Sequence, residues 1–187
     1  MSAFFDAFWP NLAATLVGIV LGAPIALAIN QRMLSKQRRL QADDARAQIK
    51  DAIDVLVSAC KYNIGVLKVI CGEALAGRAM HSPDLRVTTW DAVGQILCAS
   101  SSNPELLQML SHHWLRLQRL QVLSDEIFAR EVAKSLPPIE DQSIMLEFWR
   151  VLHDNSLSLS AHAEEAVKKL EMLRKSMVDL DGTTSSR

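Results

Sequence analysis

The chain opens with a long apolar run that ends abruptly in a basic segment. Residues 12–29 contain no charged side chain, and four basic side chains follow within ten positions. These are Arg32, Lys36, Arg38 and Arg39. Crossing about 30 Å of hydrocarbon takes roughly 20 apolar residues in a helix, a length that residues 8–29 supply. We therefore predict a transmembrane anchor over residues 1–30 and a basic juxtamembrane helix or stalk over residues 31–48.

The charges that flank the run predict its orientation. The N-terminal flank carries Asp6 and no Lys or Arg, whereas the C-terminal flank is basic. Basic loops stay on the cytoplasmic side of a membrane, so we expect the N-terminus outside and the C-terminal domain in the cytoplasm. A cleaved signal peptide would carry its basic residues before the apolar core. The pattern thus favours an uncleaved, single-pass anchor with the lipid bilayer as its first partner.

Small residues recur at every fourth position of the predicted span. They are Ala14, Gly18, Gly22 and Ala26. Spanning helices associate where small side chains let their backbones approach closely. This stripe predicts packing of the span on a second copy, giving a homo-oligomer, or on another spanning helix.

The remainder of the chain is patterned for helices. Apolar residues alternate in steps of three and four along residues 49–74, 106–127 and 145–177, and strand-like alternation is absent. We predict an all-α fold in which the anchor continues into an antiparallel cytoplasmic bundle of three long helices and one short helix, over residues 49–179. The polar tail at residues 180–187 is predicted to be disordered.

Helix boundaries follow from local signals. Residues 77–83 (GRAMHSP) predict a turn after the first helix. Asn103 and Pro104 fit the cap and first position of a helix, and Pro137 and Pro138 end that helix. The three later helices are predicted at residues 85–99, 104–135 and 140–178.

Four polar side chains interrupt the apolar seams of the bundle. They are Asn63, His113, Asn155 and His162. Buried polar groups require hydrogen-bond partners, so these residues either bond one another across the core or line a polar pocket.

Composition narrows the chemistry that the chain can perform. The formal net charge is −1, which makes general nucleic-acid binding unlikely. Cys60, Cys71 and Cys98 lie among apolar neighbours and are interpreted as small core residues. The sequence contains no HExxH, HxxxH, ExxH or phosphate-binding glycine motif. We therefore predict no enzyme activity, no metal and no cofactor.

One short segment could meet an anion. His112, His113 and Trp114 precede Arg116 and Arg119 on the third helix, a basic–aromatic combination able to contact phosphate or RNA. The simpler interpretation is a core tryptophan beside a solvated basic face.

The layout resembles small bacterial single-pass inner-membrane proteins of unassigned function. The likeness is carried by FWPNLAATLVGIVLGAPIALAINQR at residues 8–32, by Lys61–Asn63 (KYN) and by Thr88–Trp90 (TTW). More loosely, it is similar to HEPN-like CRISPR-accessory membrane proteins, which implies an oligomer that permeabilises the membrane in phage defence. A HEPN nuclease has an Arg four to six residues before its His, whereas Arg78–His81 and Arg150–His153 are closer, so RNA cleavage is not expected.

Three functions are compatible with these patterns. The leading hypothesis is a non-enzymatic inner-membrane protein that self-associates as an oligomeric pore or membrane-perturbing effector. The alternative is a membrane-anchored scaffold subunit that binds a cytoplasmic protein partner. The third is a cytoplasmic ligand sensor that uses the polar residues of the bundle interior.

Overall fold

The computed structural model is all-helical in the part of the chain that it describes. Its backbone covers residues 2–100, 103–133 and 139–184, and its side chains cover residues 24–99, 103–133 and 143–177. The helices are α1 (Ser2–Leu75), α2 (Thr89–Ser100), α3 (Pro104–Ala133) and α4 (Ile139–Thr184). The prediction of an all-α fold with three long helices and one short helix is confirmed for these residues.

The chain divides into two units, Met1–Ala47 and Gln48–Arg187. The first unit contains helical residues of α1 only, and all its side chains from residue 24 onwards are exposed. Ile25, Leu27 and Ile29 are each more than half exposed. The first unit therefore buries none of these apolar side chains within itself.

One helix among the described residues, Pro24–Leu75, is long and apolar enough to cross a membrane. One third of its most apolar 18-residue window is buried. Because residues 24–47 are exposed throughout, that window includes core residues of the second unit. The side chains of residues 1–23, which form most of the predicted anchor, lie outside the described residues.

The second unit has a core made of two apolar clusters. The first cluster takes its buried residues from all four helices: Ala52, Ile53, Leu56, Ala59, Cys60, Leu97, Leu106, Leu110, Trp114, Ala163, Ala166, Val167 and Leu170. The second takes them from α1, the segment after it, α3 and α4: Leu67, Ile70, Ala74, Leu85, Leu117, Leu120, Ile127, Met145, Leu152 and Leu159. α3 is central in this unit, because it packs against both α2 and α4.

The predicted seams of α1 and α3 form the core. In α1 the positions from Ile53 to Ala74 that step by three and four are buried, and in α3 the same holds from Leu106 to Ile127. The seam of α4 differs in its middle. Ser156 and Ala163 are buried there, while Asn155 and His162, one residue earlier, are half-buried at its edge. Small side chains in the core allow close approach of the neighbouring helices, and the larger polar ones lie outside it.

Two helix termini follow their sequence signals. Asn103 accepts a hydrogen bond from the Leu106 backbone N–H at 3.0 Å, which is the geometry of an N-cap followed by proline. After α1, Arg78 N–H donates to Glu73 C=O at 2.9 Å and Gly77 N–H to Ala74 C=O at 3.1 Å. Gly77 has φ = +69°, so this is a glycine-ended Schellman motif.

Two predicted boundaries require correction. α2 begins at Thr89 rather than at residue 85. Residues 83–87 form tight turns instead, in which the Leu85 N–H donates to the Pro83 carbonyl at 2.7 Å and the Val87 N–H donates to the Leu85 carbonyl at 2.8 Å. α4 continues to Thr184, so residues 180–184 are helical where we predicted a disordered tail. Each added residue of a formed helix contributes a backbone hydrogen bond.

We expect Leu110→Ala to lower the free energy of unfolding by about 2–5 kcal/mol, because it leaves a cavity in the first cluster. Leu110 is fully buried, whereas Leu115 on the same helix is 44% exposed. Leu115→Ala is the matched control and should change stability by about 0.5 kcal/mol or less. Chemical unfolding followed by tryptophan fluorescence measures both, and equal losses would contradict the assignment of this core.

Candidate functional site

Asn63 anchors the segment that connects α1 to α2. It is fully buried, and its Oδ1 accepts a hydrogen bond from the Arg86 backbone N–H at 2.8 Å. The carbonyl of Arg86 accepts a hydrogen bond from Trp114 Nε1 at 3.2 Å. One residue of the connection is thereby joined to α1 through its N–H and to α3 through its C=O.

Carboxylates of α3 hold the earlier part of the same connection. Ser82, which has φ = +45°, donates its backbone N–H to Asp125 Oδ1 at 2.6 Å. Ala79 N–H donates to one oxygen of Glu131 at 3.2 Å, and Trp149 Nε1 donates to the other at 2.7 Å. The backbone of this irregular segment is therefore satisfied by side chains rather than by a helix or sheet.

His113 is the most unusual polar residue of the interior. It is 1% exposed, and neither of its ring nitrogens has a hydrogen-bond partner in the structure. Its ring meets Trp114 edge-on at a centroid distance of 5.2 Å. Burial is the main cause that lowers the pKa of His113 to about 4, with smaller electrostatic contributions from the nearby His162, Arg116 and His112. The imidazole is thus neutral at physiological pH.

Buried polar side chains mark the change from one apolar cluster to the other in each long helix. In α1 the change falls between Cys60 and Leu67, on either side of Asn63. In α3 it falls between Trp114, the residue after His113, and Leu117. In α4 it falls beside Ser160, which is 7% exposed. The two clusters therefore meet at a level where the helices carry polar groups. The Nδ2 of Asn63 also has no hydrogen-bond partner in the structure.

Arg116 is held at the edge of this level by two residues of α4. Its Nη1 lies 3.1 Å from His162 Nδ1, and its Nη2 donates to Ser158 Oγ at 3.1 Å. A guanidinium can only donate, so His162 accepts through Nδ1 and carries its proton on Nε2. Both partners are neutral acceptors, and they orient the positive charge of Arg116 without cancelling it.

A groove of about 260 Å³ opens beside Arg116 between α3 and α4. Its lining residues are Arg116, Arg119, Leu120, Leu123, Asn155 and Leu159. The groove thus combines two cationic side chains, one amide and three leucines, and this lining includes no carboxylate. Such a combination can hold an anion that carries an apolar portion.

The four predicted polar residues divide into two pairs. Asn63 and His113 are buried in the core, whereas Asn155 lines the groove and His162 contacts Arg116 beside it. Asn155 Nδ2 bonds the Val151 carbonyl of its own helix at 2.8 Å. Among the described hydrogen bonds none joins two of these four residues.

The predicted membrane residues belong to the first unit. Arg32, Lys36, Arg38 and Arg39 are all exposed, and Ser35 Oγ bonds the Arg32 carbonyl at 2.8 Å. Ala26 of the small-residue stripe is exposed as well. The side chains of the other stripe positions, Ala14, Gly18 and Gly22, lie outside the described residues.

The cysteines do not share one environment. Cys60 is buried, and burial raises the pKa of its thiol to about 12, so it behaves as a small core residue. Cys71 is half-buried and Cys98 is exposed, which corrects their interpretation as core residues. Within the described part of the chain no group of three His, Cys, Asp or Glu side chains could hold a metal ion.

The two Arg–His pairs considered for RNA cleavage lie on exposed surfaces. Arg78 Nε bonds Glu73 at 2.6 Å. On α4, His153 Nδ1 lies 3.0 Å from an oxygen of Asp154, and Arg150 lies 4.0 Å from the other. Both arginines are thus already in contact with carboxylates.

Comparison with family models, with curated proteins and with solved structures gives no match to this chain.

The sequence did not predict the groove, although Arg116, Arg119 and Asn155 were each singled out from it. Arg116, Arg119, Leu120 and Leu123 follow one another on one face of α3, and this spacing was an available signal. The contact of Ser158 with Arg116 had no such signal in the sequence, because serines are common at partly exposed positions of helices.

We expect acid to destabilise the second unit through His113. The unfolded chain takes up this proton near pH 6.5, whereas the folded chain does so only near pH 4. Because the unfolded state binds more protons in this window, the free energy of unfolding should fall by about 3 kcal/mol as the pH decreases from 7 to 4. Unfolding curves at a series of pH values measure this dependence.

His113→Leu should remove that part of the pH dependence and should not lower stability at pH 7, because it replaces an unpartnered polar ring with an apolar side chain. His112→Leu, at the exposed neighbouring position, is the control and should keep the dependence. If the His113→Leu variant lost as much stability in acid as the unmodified chain, the buried neutral imidazole would not be its cause.

Proposed function

We propose that this chain is a non-enzymatic, single-pass protein of the bacterial inner membrane that self-associates. The observation that carries the proposal is the exposure of residues 24–47, a helical segment that passes from apolar residues to basic ones. Its apolar side chains need a covering that the first unit does not provide, and lipid supplies one. The basic residues that follow would then lie at the anionic inner leaflet, worth about 1 kcal/mol each.

Within this proposal the second unit is a cytoplasmic antiparallel bundle. Contacts between α1 and α4, and between α3 and α4, support this order because rising residue numbers in one helix meet falling numbers in α4. The contacts are Asp54–Arg174, Lys61–Glu171, Arg116–His162 and Glu131–Trp149. Such a bundle would either sense a ligand in the cytoplasm or offer a binding surface to a cytoplasmic protein.

Self-association is proposed to occur in the membrane, along the stripe that contains Gly18 and Gly22. Helices in lipid gain little by hiding apolar surface, so close backbone contact at small residues decides their pairing. No ionisable residue lies in the run at residues 12–29, so one copy offers no ion pathway. An oligomer of spanning helices could perturb the membrane or enclose a pore, as the resemblance to phage-defence proteins implies.

The scaffold alternative is favoured by a specific surface of the second unit. Val55, Val69 and Leu75 on α1 are 45%, 51% and 73% exposed. Gly65 and Gly72 on the same helix have open space at the position of a Cβ. An apolar helix surface with small residues suits a cytoplasmic protein partner, which stoichiometric co-purification from its native host would identify.

We expect Gly18→Leu combined with Gly22→Leu to convert the oligomer to a monomer, because two leucines would separate the paired backbones. Light scattering of the detergent-solubilised chain measures the mass. Leu16→Ile combined with Val20→Ile changes apolar residues outside the stripe and should leave the oligomer intact. A monomeric parent chain, or a double leucine variant of unchanged mass, would refute self-association along the stripe.

The same variants separate a pore from a simple anchor. If the oligomer encloses a pore, the parent chain reconstituted into planar bilayers should conduct, and the double leucine variant should conduct at least tenfold less. An oligomer without conductance would retain self-association but exclude the pore, and would favour the scaffold alternative.

We expect an N-terminal alkaline phosphatase fusion to be active in the periplasm and a C-terminal fluorescent fusion to be bright in the cytoplasm. Changing the four basic residues at 32, 36, 38 and 39 to Gln should produce a mixed orientation. Changing four exposed lysines of the second unit to Gln is the control with equal loss of charge. These are Lys50, Lys68, Lys168 and Lys175. The opposite orientation of the parent chain would refute the proposed topology.

A further inference from the structure

We propose that the groove between α3 and α4 is a binding site for a small organic anion, one phosphate or carboxylate group joined to an apolar or planar body. The groove has a volume of about 260 Å³ and lies entirely within the second unit. The proposal does not depend on membrane insertion or on self-association, because its residues come from two helices of one copy.

The two arginines of the groove differ from most other described arginines of this unit, because neither has a described contact with a carboxylate. Four other arginines of the unit each contact a carboxylate: Arg78, Arg130, Arg150 and Arg174. Arg116 instead contacts a neutral imidazole and a hydroxyl. Arg119 is exposed and lies on the groove, with no carboxylate contact in the described part of the chain. Two uncompensated cations one helical turn apart repel each other, and a shared anion relieves that repulsion.

Arg116 is held in place before any ligand arrives. Its guanidinium is half-buried, and one N–H on each terminal nitrogen is taken by His162 and Ser158. Of its five N–H donors, Nε–H and one on each terminal nitrogen remain. A planar fork of this kind can donate two parallel hydrogen bonds to one oxyanion. Because its orientation is already fixed, little side-chain freedom is lost on binding.

The remaining lining determines what the anion is attached to. Leu120, Leu123 and Leu159 form an apolar wall, which a free inorganic ion would leave uncovered. The Asn155 Nδ2 donates to Val151, so its Oδ1 is the group able to accept a hydrogen bond from a ligand. These features favour an anion on a short aliphatic chain or aromatic ring over a bare anion.

The test uses the full-length chain in detergent and three small probes in titration calorimetry. Phenyl phosphate and benzoate share one ring and differ in their anion, and inorganic phosphate carries no apolar body. We expect phenyl phosphate or benzoate to bind with a Kd below about 1 mM, at least tenfold more tightly than inorganic phosphate. The tighter of the two identifies the anion as phosphate or carboxylate.

Arg119→Gln tests the site itself, because Arg119 has no described contact whose loss would unfold the bundle. It should weaken binding of the preferred probe by about 10- to 100-fold. Arg116→Gln should weaken it similarly. Lys68→Gln removes one positive charge from an exposed position of α1 and should leave binding unchanged.

Either of two results would overturn the proposal. The first is that neither ring-bearing probe binds with a Kd below about 1 mM. The second is that Arg119→Gln and Lys68→Gln weaken binding equally, which would mean attraction by overall charge and no defined site. A monomeric chain that binds its probe would retain this proposal while refuting self-association.

Discussion

The hydrogen bond between buried Asn63 and the backbone of Arg86 is the constraint on which the second unit depends. The chain leaves α1 after Leu75 and must cross to α2 without regular structure, so its backbone groups need side-chain partners. Asn63 satisfies the N–H of Arg86 and Trp114 satisfies its carbonyl. This connection joins α1 to α3 through one residue, and α2 begins three residues later at Thr89.

The same region shows why the interior is not uniformly apolar. Asn63 and His113 lie where one apolar cluster gives way to the other, and each keeps polar atoms without a described partner. Unpartnered buried groups cost stability. This level of the core therefore contributes less to the free energy of unfolding than a wholly apolar core would. At the edge of this level the positive charge of Arg116 has no carboxylate beside it, because its two described partners, His162 and Ser158, are neutral acceptors. The polar level of the core therefore ends at the α3–α4 surface, where the positive charge of Arg116 lies.

The two units differ in whether they bury their own apolar side chains. The second unit buries two clusters of large apolar side chains, whereas residues 24–47 of the first are exposed throughout. Apolar surface on this scale is stabilised only when water is removed from it. In the proposed topology, a bilayer that holds a second helix would meet that demand for the first unit. The groove is supported independently, because every residue that lines it belongs to the second unit.

The sequence by itself determined the helices, their caps and most of the core. Large apolar residues in steps of three and four leave one possible inward face in α1 and α3, and Gly77 and Asn103 act through neighbouring backbone atoms. The tertiary structure decided the face of α4, because Ser156 and Ala163 fit a core as well as Asn155 and His162 until the neighbouring helices take their places. It also decided the groove, whose residues Arg116 and Asn155 come from different helices. Periodicity specifies which residues share one helix face, but contacts between helices depend on how side chains of different helices fill space together.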